Sequence, residues 1–199
     1  MSRVTVIIPA WNEAEHIGQT VQAAYSIPEV DMVLVVDDGS TDDTPAKAAA
    51  AGAQLLKLSS NQGKGRALQA GILSCRAEVV VLLDADLGES ARLAEALLEP
   101  VLVNEADMTI AQFPPSGPAG FGLLRGWARW GIRALTGLDM KSPLSGQRAA
   151  RRSIFDRLQL ADDWGVEIAL TVDAARLGYR LLEVPVAMTH RQTGRTWRG

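Results

Sequence analysis

The stretch Val79-Val80-Val81-Leu82-Leu83-Asp84-Ala85-Asp86 decides the fold. Five apolar residues run without a polar interruption and then stop at two carboxylates spaced i, i+2. Hydrophobicity that is continuous over this length, rather than alternating, predicts a strand buried on both faces, as in the middle of a parallel sheet. Open α/β sheets bind their ligands at the carboxyl ends of such strands. Two acids this close repel each other unless a proton or a cation intervenes, so a divalent metal carrying phosphate oxygens is one reading of the site. An acidic, solvated turn is the other.

Outward from this stretch the same grammar repeats. A first strand over 4–8 is expected to stop at Pro9, which has no N–H for a ladder. Ile17, Val21 and Ala24 fall at helical spacing and predict a helix over 13–25. A buried strand over 32–36 ends in Asp37-Asp38, and the turn Gly39-Ser40-Thr41-Asp42 leads into an Ala-rich helix reaching Ala51. A short strand follows over 53–58, then a helix opened by Asn61-Gln62-Gly63-Lys64-Gly65-Arg66. Beyond Asp86 come a helix over 90–103, with Ser90 as its expected cap, and a strand over 108–111. Strands alternating with helices of this length specify βαβ units on a parallel sheet. Right-handed crossovers would place every strand's carboxyl end on one edge, so that Pro9, Asp37, Asp38, Asp84 and Asp86 meet there.

The second half is less regular. A Pro/Gly-rich loop over 113–119 precedes an amphipathic helix over 121–138, with Phe121, Leu124, Trp127, Ala128, Gly131, Leu135 and Leu138 on one side and Arg125, Arg129 and Arg133 in a row. Such a helix either covers the sheet or lies on a membrane surface with its tryptophans at the interface. A loop over 141–146, a basic and partly helical segment over 148–158 and a helix over 166–177 follow. The last strand, 179–186, carries Pro185 and is expected at an edge.

With 199 residues, 47% hydrophobic and 22% charged, the chain has the composition of one globular domain. Its net charge of -3 conceals an asymmetry: residues 1–111 hold 7 basic and 16 acidic side chains, whereas 112–160 hold 8 and 2. That basic middle suggests an anionic partner, a phosphate or a membrane surface, and nothing points to nucleic acid. The single Cys75 excludes an internal disulfide and fits a reducing compartment. Without a signal-peptide pattern or a long apolar run, the expectation is a cytoplasmic protein, with peripheral contact at the inner face of the membrane as one reading of the basic segment.

Four motifs, Ile7-Ile8-Pro9-Ala10-Trp11-Asn12-Glu13, Val35-Val36-Asp37-Asp38-Gly39-Ser40-Thr41-Asp42, Asn61-Gln62-Gly63-Lys64-Gly65 and Asp84-Ala85-Asp86, stand in the order and spacing of family 2 glycosyltransferases. The sequence resembles that family tightly over 4–112, and more loosely through Ser145-Gly146-Gln147-Arg148 and 178–195. Within it, the dolichol-phosphate mannose synthase and polyprenyl-phosphate branch is the most similar. The resemblance implies a single GT-A domain over 1–199, a Rossmann-like, mostly parallel sheet flanked by helices. Residues 1–112 would form the nucleotide-sugar half and 113–199 the acceptor half. It implies a UDP- or GDP-sugar donor, Mg²⁺ or Mn²⁺, and a polyprenyl phosphate acceptor, with a small phosphoglycerate-type acceptor as the alternative. A catalytically silent binding protein that keeps the fold is a further reading.

By the same resemblance Pro9, Trp11, Asn12 and Glu13 would hold base and ribose, and Asp38 would accept a hydrogen bond from the base. Lys64 would reach the donor phosphates. Asp84, with Ala85 between, would contact ribose and metal, and Asp86 the metal, which assists the leaving diphosphate. His190 would be a further metal or phosphate ligand, or a surface loop residue. Arg191 and Arg195 would close over the pyrophosphate. For an alcohol acceptor, which needs a general base, the candidates are Asp162, Asp163 and Glu167; an ionised phosphate acceptor needs none. Gly88 replaces the Gln the mannose synthases often carry beside the metal, and Ala111-Gln112-Phe113 lacks their Arg. Both departures weigh against mannose and a guanosine donor.

Overall fold

In the computed structural model, which describes residues 3–113, 120–158 and 165–188, the apolar runs become strands whose side chains alternate between two covered faces. The strands are β1 (Val4–Ala10), β2 (Met32–Asp37), β3 (Gln54–Lys57), β4 (Val79–Leu82), β5 (Met108–Gln112), β6 (Arg148–Arg151) and β7 (Leu181–Pro185). The helices are α1 (Ile17–Tyr25), α2 (Thr44–Ala50), α3 (Lys64–Ser74), α4 (Glu95–Leu102), α5 (Gly120–Thr136) and α6 (Val166–Arg176). Val4, Val6 and Ile8 of β1 pack into a core with α1 and α4, while Ile7 faces a second core that includes Leu68 and Ile72 of α3, Ile132 of α5 and Leu170 of α6. This strict alternation is why the strands read as unbroken apolar runs: both faces are buried.

The seven-stranded sheet has the order β3-β2-β1-β4-β6-β5-β7. All neighbours run parallel except at β6, which is antiparallel to both β4 and β5. The expectation that every strand ends on one edge therefore fails at β6, in the segment read as basic and partly helical. Only a short 3₁₀ turn, Arg152–Ile154, is helical there. The failure has a consequence for function. With Leu82 opposite Arg148 in the register, β6 begins where β4 ends, so residues 145–147 arrive directly beside Asp84.

Other boundaries shift for local reasons. β1 continues through Pro9 to Ala10. The Ile7 carbonyl accepts the Leu83 amide on the β4 side, and Pro9, two residues on, faces that same side beyond Leu82, the last residue of β4. Its missing N–H thus falls where the β4 ladder ends, while pairing with β2 runs on to Ala10 opposite Asp37. α1 begins at Ile17 rather than Glu13, because the chain first makes a turn in which the Glu13 carbonyl accepts the His16 and Ile17 amides. Ser90 does not cap the next helix: a 3₁₀ segment, Gly88–Ala94, comes before α4, and the Ser90 hydroxyl donates to the Leu87 carbonyl. β7 lies at the sheet edge, as Pro185 requires.

Among the described side chains of α5, Ala128 and Ile132 are buried, Ile132 in the core it shares with β4, β5 and α6, whereas Trp127, Trp130 and Leu135 are exposed. No helix among the described residues is long and apolar enough to cross a membrane.

Candidate active site

β4 delivers Asp84 to the sheet edge, and three other segments converge on it. Lys64, the first residue of α3, places Nζ 2.7 Å from Asp84 Oδ1 and 3.0 Å from Glu167 Oε1. Gln147, fully buried, donates from Nε2 to Asp84 Oδ2 at 2.7 Å. Glu167 stands in the first turn of α6. Burial works against the Lys64 charge, but Asp84 and then Glu167 outweigh it and hold the ammonium above its ordinary pKa. Two carboxylates thus share one cation, with Gly146 so close that a Cβ on it would lie 2.7 Å from Lys64 Nζ.

The turn after β4 is tied down by a residue that the sequence pattern does not reveal. Thr20, buried on α1, donates its hydroxyl to the Ala85 carbonyl at 2.8 Å and accepts the Gly88 amide at 2.9 Å. Asp86 lies within that turn, beside a cleft of about 290 Å³ lined by His16, Gln19 and Glu89. A larger groove of about 960 Å³ between the end of α1 and α4 contains none of the predicted site residues, so converging charge rather than volume marks the site.

The first two motifs knit loops together. Asp38 is buried, and its two oxygens accept the Gln62 and Gly63 amides, each at 2.8 Å. It therefore anchors the turn that starts α3 and aims Lys64, a role not foreseen from the sequence. Burial pushes its pKa up, against the pull of those amides. Asn12, at φ 54°, accepts the Thr41 amide at 2.8 Å, and the Glu13 amide donates to Thr44 Oγ1 at 2.8 Å. Pro9 and Trp11 lie on the same rim, Trp11 being 36% exposed. Asp162, Asp163, His190, Arg191 and Arg195 lie outside the described residues.

The model of the family described as "Glycosyl transferase family 2" matches residues 5–159. The chain belongs to this family. An undecaprenyl-phosphate mannosyltransferase from Micrococcus luteus is 30% identical, over 96% of this chain and 86% of that protein. A glucosyl-3-phosphoglycerate synthase from Mycolicibacterium paratuberculosis is 31% identical over 88% of this chain, which spans only 61% of that relative's length. The crystal structure of the Mycobacterium tuberculosis glucosyl-3-phosphoglycerate synthase with Mn²⁺, UDP and glucosyl-3-phosphoglycerate superimposes with a TM-score of 0.83 at 29% identity, covering 96% of this chain and 73% of that one. Family 2 membership and the GT-A architecture of that synthase agree with the sheet described above.

Of the residues that the sequence nominates, Lys64, Asp84 and Glu167 meet, whereas the sequence assigns no role to Gln147, Arg148 or Thr20. Gln147 and Arg148 stand in Ser145-Gly146-Gln147-Arg148, whose signal is a polar pair ahead of two alanines. Thr20 carried only the faint signal of a hydroxyl on the buried stripe of a helix.

Proposed function

We propose that this chain is a metal-dependent glycosyltransferase that moves a sugar from a nucleoside diphosphate donor to a polyprenyl phosphate, working at the cytoplasmic side of a membrane. The observation that carries the proposal is the Asp84–Lys64–Glu167 constellation with Gln147 on the second Asp84 oxygen. It joins a cation suited to diphosphate oxygens with carboxylates on either side of it.

A divalent ion fits these residues. Asp84 already has a cationic group, the Lys64 ammonium, against Oδ1 at 2.7 Å, and the available ligands are hard oxygens that suit Mg²⁺ or Mn²⁺. Among the described residues no group of three or more His, Cys, Asp or Glu could hold a metal. Asp84 and Asp86 would therefore share the ion with donor phosphate oxygens, and His190 would be a further ligand. When bound, the ion supplies neutralising charge for the leaving diphosphate. Lys64 binds and orients the same diphosphate, Asp38 holds the Lys64 turn in place, and Gln147 fixes the rotamer of Asp84. Glu167 faces the acceptor. A phosphate acceptor attacks as an anion, and a hydroxyl acceptor would pass its proton to Glu167 Oε1.

The exposed Trp127–Trp130 pair, edge to face at 6.2 Å on a helix that carries arginines and no acid, supports contact with an anionic lipid surface. A small phosphoglycerate-type acceptor is the second reading, favoured by the synthase superposition. Calorimetry with UDP and GDP, each with Mn²⁺, identifies the donor nucleotide. Asp86→Ala, folded by thermal melt, should lose Mn²⁺-dependent nucleotide binding and transfer; full transfer by this variant refutes the metal role of Asp86, and absence of transfer in the parent with either donor refutes the enzyme reading. Flotation with anionic vesicles, lost in the Trp127→Ala, Trp130→Ala double variant, supports the lipid acceptor, and absence of flotation in the parent favours the small one.

A further inference from the structure

Arg148 heads the largest fully buried side chains, at 1% exposure, although it carries a guanidinium. Nε donates to the Ser145 carbonyl at 3.0 Å, Nη1 to Thr171 Oγ1 at 2.9 Å and to Met108 Sδ at 3.7 Å, and Nη2 to the Glu167 carbonyl at 2.7 Å. Among the described residues no carboxylate accepts a hydrogen bond from it. Burial draws its pKa down to about 10, opposed by the Glu167 charge, so it remains a cation at neutral pH. A buried cation answered by carbonyls, a hydroxyl and a thioether costs more than it needs to if it merely fills a core, since an apolar side chain of similar length would pack there without the desolvation. What the cation provides is connection. Ser145 immediately precedes Gly146, on which a Cβ would crowd Lys64, and Gln147, which binds Asp84, while Glu167 lies in the first turn of α6 and Thr171 one turn further along it.

We infer that Arg148 is a positioning residue: from inside the core it sets the distance between the loop that holds Asp84 and the helix turn that presents Glu167, and so registers the acceptor side against the donor side. It touches neither substrate and acts through the backbone at Ser145 and Glu167. The inference rests on the proposed placing of Glu167 at the acceptor. It differs from a general stabilising role because the donor rim, built from β1, β2 and the start of α3, makes no hydrogen bond to Arg148 among the described residues.

The test compares Arg148→Met, Arg148→Lys, Thr171→Val and Glu167→Gln in the full chain, each with the donor nucleotide found by calorimetry. Arg148→Met should lower kcat by about 10- to 100-fold, in the range expected when the acceptor is misplaced by an ångström relative to the donor, with donor KM and Mn²⁺-nucleotide affinity within about twofold of the parent. Arg148→Lys should recover part of kcat, because an ammonium reaches some of the same acceptors. If Arg148→Met does not fold, Thr171→Val takes its place: it keeps the charge, removes one anchor and should lower kcat about threefold at unchanged donor affinity. Parent-level kcat in Arg148→Met, or in Thr171→Val where it substitutes, overturns the inference, as does a loss of nucleotide affinity in step with kcat. Parent-level turnover in Glu167→Gln instead removes the reading of Glu167 on which the inference rests.

Discussion

Gly146→Ala separates the site's geometry from the protein's stability. The added Cβ would lie 2.7 Å from Lys64 Nζ and 3.3 Å from Asp84 Oδ1, against an ordinary contact distance of 3.4 Å or more. Lys64 ends a flexible side chain that is a third exposed, so it yields first, by roughly 0.7 Å. Stretching an ion pair from 2.7 Å by that amount at an effective dielectric near 20 removes about 1 kcal/mol, and solvent screening of this part-exposed group reduces the figure further. Gly146 lies outside the left-handed region, so an alanine there also restricts the unfolded chain, an offset of about 0.4–1 kcal/mol. Stability should therefore hardly change, with Tm within about 2 °C of the parent. Catalysis should not be spared: an ammonium displaced from its two carboxylates is misplaced for the diphosphate as well, and kcat/KM should fall about 10- to 100-fold. Steady-state transfer and a thermal melt on one preparation decide the matter. Parent-level kcat/KM at an unchanged Tm would show that the observed place of Lys64 is not used, and a collapse in Tm would show that Gly146 abuts something less yielding than an ammonium.

Gly71→Ala is the counterpart in the core. Its Cβ would meet Ile7 Cγ2 at 2.7 Å and Val36 Cγ2 at 2.9 Å, both on buried strands, so overpacking of about 1–3 kcal/mol should outweigh a helix-propensity gain of about 1 kcal/mol; a urea midpoint equal to or above the parent's would refute this packing. Asp107 accepts two side-chain bonds from Arg180 at 2.9 and 3.0 Å, which, ahead of an opposing burial effect, hold its pKa below 3.8. A depressed carboxylate pKa contributes stability above the unfolded value and loses it as pH falls through the folded one. Asp107→Asn should thus be less stable than the parent at pH 7, with the gap closing below about pH 3.8, and a gap independent of pH in matched melts refutes the pairing.

Much of the fold over residues 4–112 was legible in the sequence because its information is local. An apolar run that stops at Asp84, or at Asp37, states strand, burial and edge at once, and Gly63-Lys64-Gly65 marks the turn that opens α3. What the sequence left unstated depends on contacts between segments. It offered Asp38 for the base, but nothing in it reveals that the Gln62 and Gly63 amides come to that carboxylate. For Trp127 it left a sheet-covering and a surface role open, since periodicity gives the stripe of a helix but not what that stripe rests on; the side chain is exposed.

From sequence alone follow the βαβ grammar of residues 4–112, the meeting of its strand ends at one edge, and the family motifs carried there; right-handed crossovers between strands buried on both faces leave few alternatives. Tertiary structure alone decided that β6 runs backwards between β4 and β5. A four-residue strand, Arg-Ala-Ala-Arg, has too little pattern to announce itself, and its direction depends on which ladder groups of β4 and β5 remain unpaired. That reversal sets Gln147 against Asp84, places Arg148 beneath Glu167, and converts the two acids at the end of Val79–Leu82 from a strand terminus into one wall of a site.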